Sequence, residues 1–265
     1  MGSIIFAVLF LFMIAYYDIA VRLRAFISYH WAKKYANRKA YKMSRIVFAV
    51  SRCYLNHRIA FHSNIPLHSL PSAFILVSNH QSIVDIPTLI SCLPGFQLRF
   101  VAKDGLFRGV PLISMMLRLQ RHGIIFRDGD QRKSYNELKT FARRCRAGKC
   151  PVVFPEGTRS ETGTLRTFSS GALRVILGEV NLPIVTVAMD GGWIVSKAGQ
   201  LATNLKNCLY RVGVIGLHQA PGSRSELEKD LLCYRNEIEG QITKWRDFSR
   251  PTTRQSVSGI DTTLG

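Results

Sequence analysis

Phe74-Ile75-Leu76-Val77-Ser78-Asn79-His80-Gln81-Ser82-Ile83-Val84-Asp85-Ile86-Pro87 sets the architecture of this chain. Its first six residues are an apolar, β-type run, and the polar residues after them read as a loop. Proline is tolerated only in the first turn of a helix, so Pro87 places a helix start at about Asp85 or Ile86. Strand, loop and helix in that order form one unit of an α/β fold.

The same alternation continues along the chain. Apolar β-type runs at 98–102, 123–126, 151–154, 183–188 and 209–216 are separated by helical patterns near 86–93, 110–119, 131–147 and 169–179. The expected fold is therefore α/β, with a mainly parallel central sheet flanked by helices. Leu227, Leu231, Tyr234, Ile238, Ile242 and Trp245 recur at spacings of three and four, the mark of a closing helix with one buried stripe. Residues 250–265 read as a polar, disordered tail. With 265 residues and 47% hydrophobic content, the chain is able to bury one substantial core, which excludes a disordered protein.

The N-terminus has a different character. Ile4 to Tyr17 is an unbroken apolar run with no Lys or Arg before it and no small-residue cleavage site after it, which argues against a cleaved signal. The run is shorter than the roughly 17 to 25 residues of a spanning helix, and extending it from Met1 to Ala20 brings in Asp18. Two states stay open: a single span with its basic side in the cytoplasm, or an interfacial anchor in one leaflet. No acidic residue lies between Asp18 and Asp85, whereas ten Lys and Arg do, and Tyr29, Trp31, Tyr35, Tyr41 and Val47 are interleaved with them. This segment reads as a basic amphipathic helix on an anionic membrane, or as a helix whose apolar positions pack on the catalytic domain. The expected organisation is a membrane-anchoring helical segment over 1–60, a catalytic domain over 61–249 and the tail over 250–265.

Across the chain, 36 Lys and Arg face 17 Asp and Glu, a formal charge of +19 that calls for a polyanionic partner. An anionic phospholipid membrane accounts for the charge and the apolar run together. A nucleic-acid module has no zinc-finger, basic-zipper or RNA-recognition signature to support it, and no nucleic acid is expected as partner. The six cysteines show no C-x-x-C pair and no zinc spacing, so they read as reduced, mostly buried residues of a cytosolic compartment, with no metal site. Walker, G-x-S-x-G and G-x-G-x-x-G motifs are absent from the sequence, so no cofactor is expected.

Two constellations carry chemistry. In the first, His80 and Asp85 would stand about 140° apart on one continuous helix, so pairing them requires a bend, which the helix start before Pro87 supplies. Asp85 is then able to turn back onto one imidazole nitrogen and leave the other as a base. The plainer alternative is a helix cap at Asp85 beside an ordinary loop histidine. In the second, Phe154-Pro155-Glu156-Gly157-Thr158-Arg159 again ends a β-type run. Gly157 permits a tight turn near a ligand, and Arg159 offers a planar fork for phosphate oxygens. Glu156 is placed to orient that guanidinium or to hold a substrate hydroxyl.

His-x4-Asp followed by Phe-Pro-Glu-Gly-Thr-Arg resembles the glycerolipid acyltransferase family, especially its 1-acylglycerol-3-phosphate acyltransferases. Lys103-Asp104-Gly105-Leu106-Phe107, Gly123-Ile124-Ile125-Phe126-Arg127-Asp128 and Leu182-Pro183-Ile184-Val185-Thr186-Val187-Ala188 resemble further blocks of that family. The resemblance spans roughly residues 70 to 190. It implies catalysis by His80 and Asp85, and acceptor binding by Glu156 and Arg159, with Gly157 and Thr158 shaping the loop. The family's glycine-led block ends Ile-Asp-Arg; here Gly129 stands at the arginine's place, and Arg127 is the candidate substitute. The implied reaction passes a fatty acyl group from an acyl-CoA or acyl carrier protein thioester to lysophosphatidic acid, giving phosphatidic acid, at a membrane with the active site on the cytoplasmic side. Glycerol 3-phosphate or another lysophospholipid is the alternative acceptor, and a membrane-attached scaffold without activity is the non-enzyme alternative.

Overall fold

The structure is a computed structural model, and it describes residues 1–126, 130–146 and 148–248. Two long helices come first: α1 (Gly2–Ile27) and α2 (Tyr29–Leu55). Ser28 between them is extended, and its hydroxyl accepts the Trp31 N–H at 3.4 Å, which starts the second helix in a new direction. The pair folds back on itself. Gly2 lies against the Tyr54 carbonyl, where a Cβ would fall 2.3 Å away, and Tyr17 and Val21 pack with Ala32 and Ala36. The apolar run thus belongs to a 26-residue helix, longer than its unbroken apolar part.

Asp18 explains itself in this setting. Its carboxylate accepts the Leu112 N–H at 2.7 Å and the Arg22 Nε–H at 2.8 Å, so the one acid of α1 faces the catalytic domain. Elsewhere along α1, Ile4, Val8, Leu11, Phe12, Ile19 and Leu23 are exposed. On α2, Ala32, Ala36, Phe48 and Leu55 are buried while Lys34, Arg38 and Lys42 are exposed. The helix therefore packs inward with its small and apolar residues and shows its cations outward.

Seven strands form one sheet in the order β1-β7-β6-β2-β5-β3-β4. They are β1 (Arg58–Ser63), β2 (Ile75–Ser78), β3 (Gln97–Lys103), β4 (Gly123–Ile125), β5 (Lys149–Val153), β6 (Ile184–Asp190) and β7 (Leu209–His218). The five from β6 to β4 run parallel, and β7 meets β6 antiparallel with β1 parallel beside it. The α/β architecture and the mainly parallel sheet are as expected. β1 is the strand the sequence reading lacked, and it shows that the boundary drawn between 60 and 61 falls inside a strand: the sheet begins at Arg58. Its burial alternates poorly, with four of its six residues exposed, as suits an edge strand.

Helices cover both faces, which is why β2 is buried at every position rather than at alternate ones. Phe74 and Leu76 pack with Leu89 and Leu93 of α3 (Asp85–Cys92) and its surroundings. Ile75 and Val77 point the other way, toward α5 (Gln131–Cys145), α6 (Gly171–Leu177) and the closing helix α8 (Arg224–Asp247). The stripe of Leu227, Leu231, Tyr234, Ile238 and Ile242 on α8 is buried. Gly123, which opens β4, has the Phe141 ring 3.0 Å from where a Cβ would sit, so that glycine is a packing requirement of α5. The remaining α-helices among the described residues are α4 (Ile113–Leu119) and the single turn α7 (Leu201–Asn204). Among the cysteines, Cys92, Cys145, Cys150 and Cys208 are buried, Cys53 and Cys233 are exposed, and all six are free thiols. The tail expected over 250–265 lies outside the described residues.

Candidate active site

The two sequence constellations meet because β2 and β5 are neighbours, with Leu76 beside Val152 and Val77 beside Val153. Both loops leave the carboxyl ends of adjacent parallel strands, the crevice where open α/β sheets bind ligands. His80 follows β2, and Phe154-Pro155-Glu156 follows β5.

The loop Asn79-His80-Gln81-Ser82 is tied down residue by residue. Asn79 exchanges two bonds of 2.8 Å with the backbone of Met189 on β6. The Gln81 side chain accepts the Gly192 N–H at 3.2 Å, and the Ser82 hydroxyl donates to the Val195 carbonyl at 2.6 Å. Each of these three side chains is buried, whereas the His80 side chain keeps 19% of its surface exposed. With its neighbours anchored, His80 is the side chain of this loop left partly open at the carboxyl end of β2.

Asp85, the first residue of α3, is fully buried. Its Oδ2 accepts from His80 Nδ1 at 2.6 Å and from the N–H groups of Gln81 at 2.7 Å and Ser82 at 3.0 Å. The helix start thus supplies the bend that pairing required, and the carboxylate caps the preceding loop while holding the imidazole. Its other oxygen, Oδ1, accepts from the hydroxyl of Tyr210 on β7. The imidazole ring stacks on Phe154, with centroids 4.2 Å apart and planes 11° from parallel. With Nδ1 engaged as donor to a carboxylate, Nε2 is the nitrogen left to accept a proton.

Glu156 is half-buried and bridges the two loops. Its Oε1 accepts the His80 N–H at 2.8 Å and its Oε2 the Arg166 N–H at 3.0 Å. Burial raises its proton affinity, and these two N–H groups oppose the rise. Neither oxygen is bonded to Arg159. The Ser160 N–H donates to the His80 carbonyl at 2.8 Å, so the Arg159 segment is stitched to the histidine as well. Gly157 has φ +69, and nothing stands within 4 Å of where its Cβ would be; the left-handed backbone, not crowding, calls for glycine. Thr158 and Arg159 are half-buried. Nη1 of Arg159 is buried without a hydrogen-bond partner. Arg127 lies outside the described residues.

Tyr210 and the anchoring roles of Asn79, Gln81 and Ser82 escaped the sequence reading. Asn79 precedes the histidine and Ser82 stands two residues after it, and their short polar side chains at the end of an apolar strand were a usable signal. Nothing local marks Tyr210, which lies 125 residues from the carboxylate it meets.

The acyltransferase family model matches residues 58–190. A chloroplastic 1-acyl-sn-glycerol-3-phosphate acyltransferase of Arabidopsis thaliana is 31% identical over 187 residues, covering 70% of this chain and 48% of that protein. The human 1-acyl-sn-glycerol-3-phosphate acyltransferase alpha is 31% identical over 129 residues, 46% of this chain and 43% of that one. The chain thus spans about half the length of these curated relatives. The crystal structure of the 1-acyl-sn-glycerophosphate acyltransferase PlsC from Thermotoga maritima superposes with a TM-score of 0.66 at 20% identity, covering 96% of this chain and 97% of that one, and so shares the fold.

Proposed function

The chain belongs to the acyltransferase family, and from that premise we propose that it transfers a fatty acyl group from an acyl thioester to the free hydroxyl of 1-acylglycerol 3-phosphate, yielding phosphatidic acid. The bond from His80 Nδ1 to the buried carboxylate of Asp85 carries this reading. Nε2 of His80 takes the proton from the acceptor hydroxyl as its oxygen attacks the thioester carbonyl. Asp85 stabilises the imidazolium that forms, and the thiol leaves with the proton returned to it. Transfer is direct within a ternary complex, because no nucleophile motif points to an acyl-enzyme.

The acceptor's phosphate falls to Arg159, whose buried, unpartnered Nη1 is a donor in need of an anion. Gly157 and Thr158 shape the loop that presents it, and Glu156 sets the distance between that loop and His80. The donor is an acyl-CoA or an acyl carrier protein thioester, both anionic and suited to a chain of charge +19.

We read the α1–α2 hairpin as an anchor lying in one leaflet of an anionic membrane, on the cytoplasmic side. α1 is long and apolar enough to cross. It is, however, packed along α2, and a crossing would take Lys33, Lys34, Arg38, Lys39 and Lys42 into hydrocarbon at about 2.5 to 3.5 kcal/mol each at the bilayer centre. An interfacial placement lets the exposed apolar face of α1 enter the acyl region while the cations of α2 stay with the headgroups.

The test is incubation of the purified protein in anionic vesicles with lysophosphatidate and a labelled acyl thioester, wild type beside His80→Ala. Labelled phosphatidate is expected from the wild type, with turnover lower by about 10² to 10⁴ in the variant. Glycerol 3-phosphate and other lysophospholipids in parallel reactions separate the alternative acceptors. Transfer by His80→Ala at the wild-type rate would overturn the assignment of the base.

A further inference from the structure

Asp85 is a fully buried carboxylate, and among the described residues no Lys or Arg is bonded to it. Its Oδ2 is shared by an imidazole and two backbone N–H groups, whereas Tyr210 donates to Oδ1. Tyr210 is itself fully buried, and it arrives from β7, which is separated from β2 by β6.

The fold is shaped to let that ring through. Gly191 and Gly192 follow the end of β6; Gly191 has φ +93, and a Cβ there would fall 2.3 Å from the Leu209 carbonyl. A Cβ on Gly192 would stand 2.3 Å from the Tyr210 ring. Two consecutive residues without side chains are therefore what allow a phenol to reach across a strand to the carboxylate. Residue 210 also lies beyond the 58–190 stretch that carries the family's blocks.

We propose that Tyr210 is a positioning residue for the acyl transfer, acting through Asp85 to set how strongly the carboxylate holds the His80 imidazole. This rests on the reading of His80 as the base. Burial, with the nearby Asp85 charge adding to it, keeps the phenol protonated and hence a donor. By donating to Oδ1 it draws charge from the carboxylate, and the Nδ1 bond on Oδ2 is correspondingly moderated. Without the phenol, Asp85 holds the protonated imidazole more tightly, and the base is released only at higher pH. The other titratable groups facing this line are Glu156 after β5, Cys208 ahead of β7 and Asp190 at the end of β6, the last held by Arg246 at 2.6 Å.

The experiment compares wild type, Tyr210→Phe and a protein carrying 3-fluorotyrosine at position 210 in the lysophosphatidate assay, with kcat, KM and the pH profile of kcat/KM recorded for each. Tyr210→Phe keeps the ring and loses the donor. Its kcat is expected to fall about tenfold or more, with KM for lysophosphatidate little changed and the acid limb of the profile displaced to higher pH. Fluorotyrosine keeps a more acidic hydroxyl, so kcat stays near wild type while the acid limb moves to lower pH. A purely structural tyrosine would alter the melting temperature and leave the limb in place. Unmoved acid limbs in both proteins overturn the proposal; if Tyr210→Phe does not fold, an unmoved limb in the fluorotyrosine protein does so alone. His80→Ala assayed alongside separates the two readings: an inactive His80→Ala with Tyr210→Phe like wild type removes only the role of Tyr210, and an active His80→Ala removes both.

Discussion

His80 follows the carboxyl end of β2 and His122 precedes the amino end of β4, and each has a phenylalanine ring stacked on it. His80 lies on Phe154 with centroids 4.2 Å apart, and His122 lies on Phe100 at 5.7 Å. Their hydrogen-bond partners differ. His122, just ahead of β4, accepts the Phe100 N–H on Nδ1 at 2.8 Å and pairs its Nε2 with the Gln120 amide oxygen at 2.9 Å. Both nitrogens are spent on neutral groups, and burial pushes its pKa down to about 3. His80 spends one nitrogen on a carboxylate, and its side chain keeps 19% of its surface exposed beyond the carboxyl end of β2. Packing an imidazole on an aromatic ring therefore decides nothing by itself; what sits on the second nitrogen, and at which end of the strands, separates a fixed strut from a candidate base.

Asp85→Asn breaks this contrast most severely. All four groups around the carboxylate are donors, so an amide nitrogen placed among them opposes one of them and favours the other imidazole tautomer. A loss of about 10² to 10⁴ in kcat is expected at nearly unchanged KM, measured in the same vesicle assay. A smaller effect is expected from Arg159→Ala, which leaves His80 in place and removes the cation of the loop stitched to it through Ser160. KM for lysophosphatidate should rise by about tenfold to a hundredfold, with kcat changed much less. A change confined to the acyl-donor KM would assign Arg159 to the other substrate.

The mildest test concerns the struts. His57, bonded to Ser51 at 3.0 Å, is buried like His122, and its pKa is pushed down to about 4. In the unfolded chain both rings take up a proton near the ordinary value of 6.5, so on acidification the unfolded state binds protons first. The stability that is intact above pH 6.5 is lost from there down to about 4 for His57 and about 3 for His122, at about 1.4 kcal/mol per pH unit for each ring. Urea midpoints should therefore fall between pH 7 and pH 5, and replacing both residues by Gln should flatten that slope. An unchanged slope would mean that the rings are protonated in the folded state.

The uneven legibility of the chain has a physical basis. β2, β5 and the helix at Asp85 were readable because apolar runs, a proline and a glycine act through local backbone preferences. The meeting of His80 with Glu156 needed only the adjacency of two parallel strands. β1 was hidden because an edge strand has no strict alternation, and its partner β7 lies some 150 residues away, with Arg58 beside Leu209. Asp18 looked like a flaw in an apolar helix because its meaning depends on the Leu112 N–H, 94 residues on. Tyr210 belongs to the same class: long-range contacts leave no periodic trace.

The half-buried bond from the Leu112 N–H to Asp18 ties α1 of the hairpin to the start of α4. On the membrane placement proposed above, the height of the crevice above a lipid surface would be a property of the fold, set once for every turnover. An acceptor would then be met at one depth only, and the position of its hydroxyl along the membrane normal would be selected alongside charge and shape. Lengthening or shortening the turn at Ser28 would leave that height unchanged, whereas loosening the Asp18 contact would blur it.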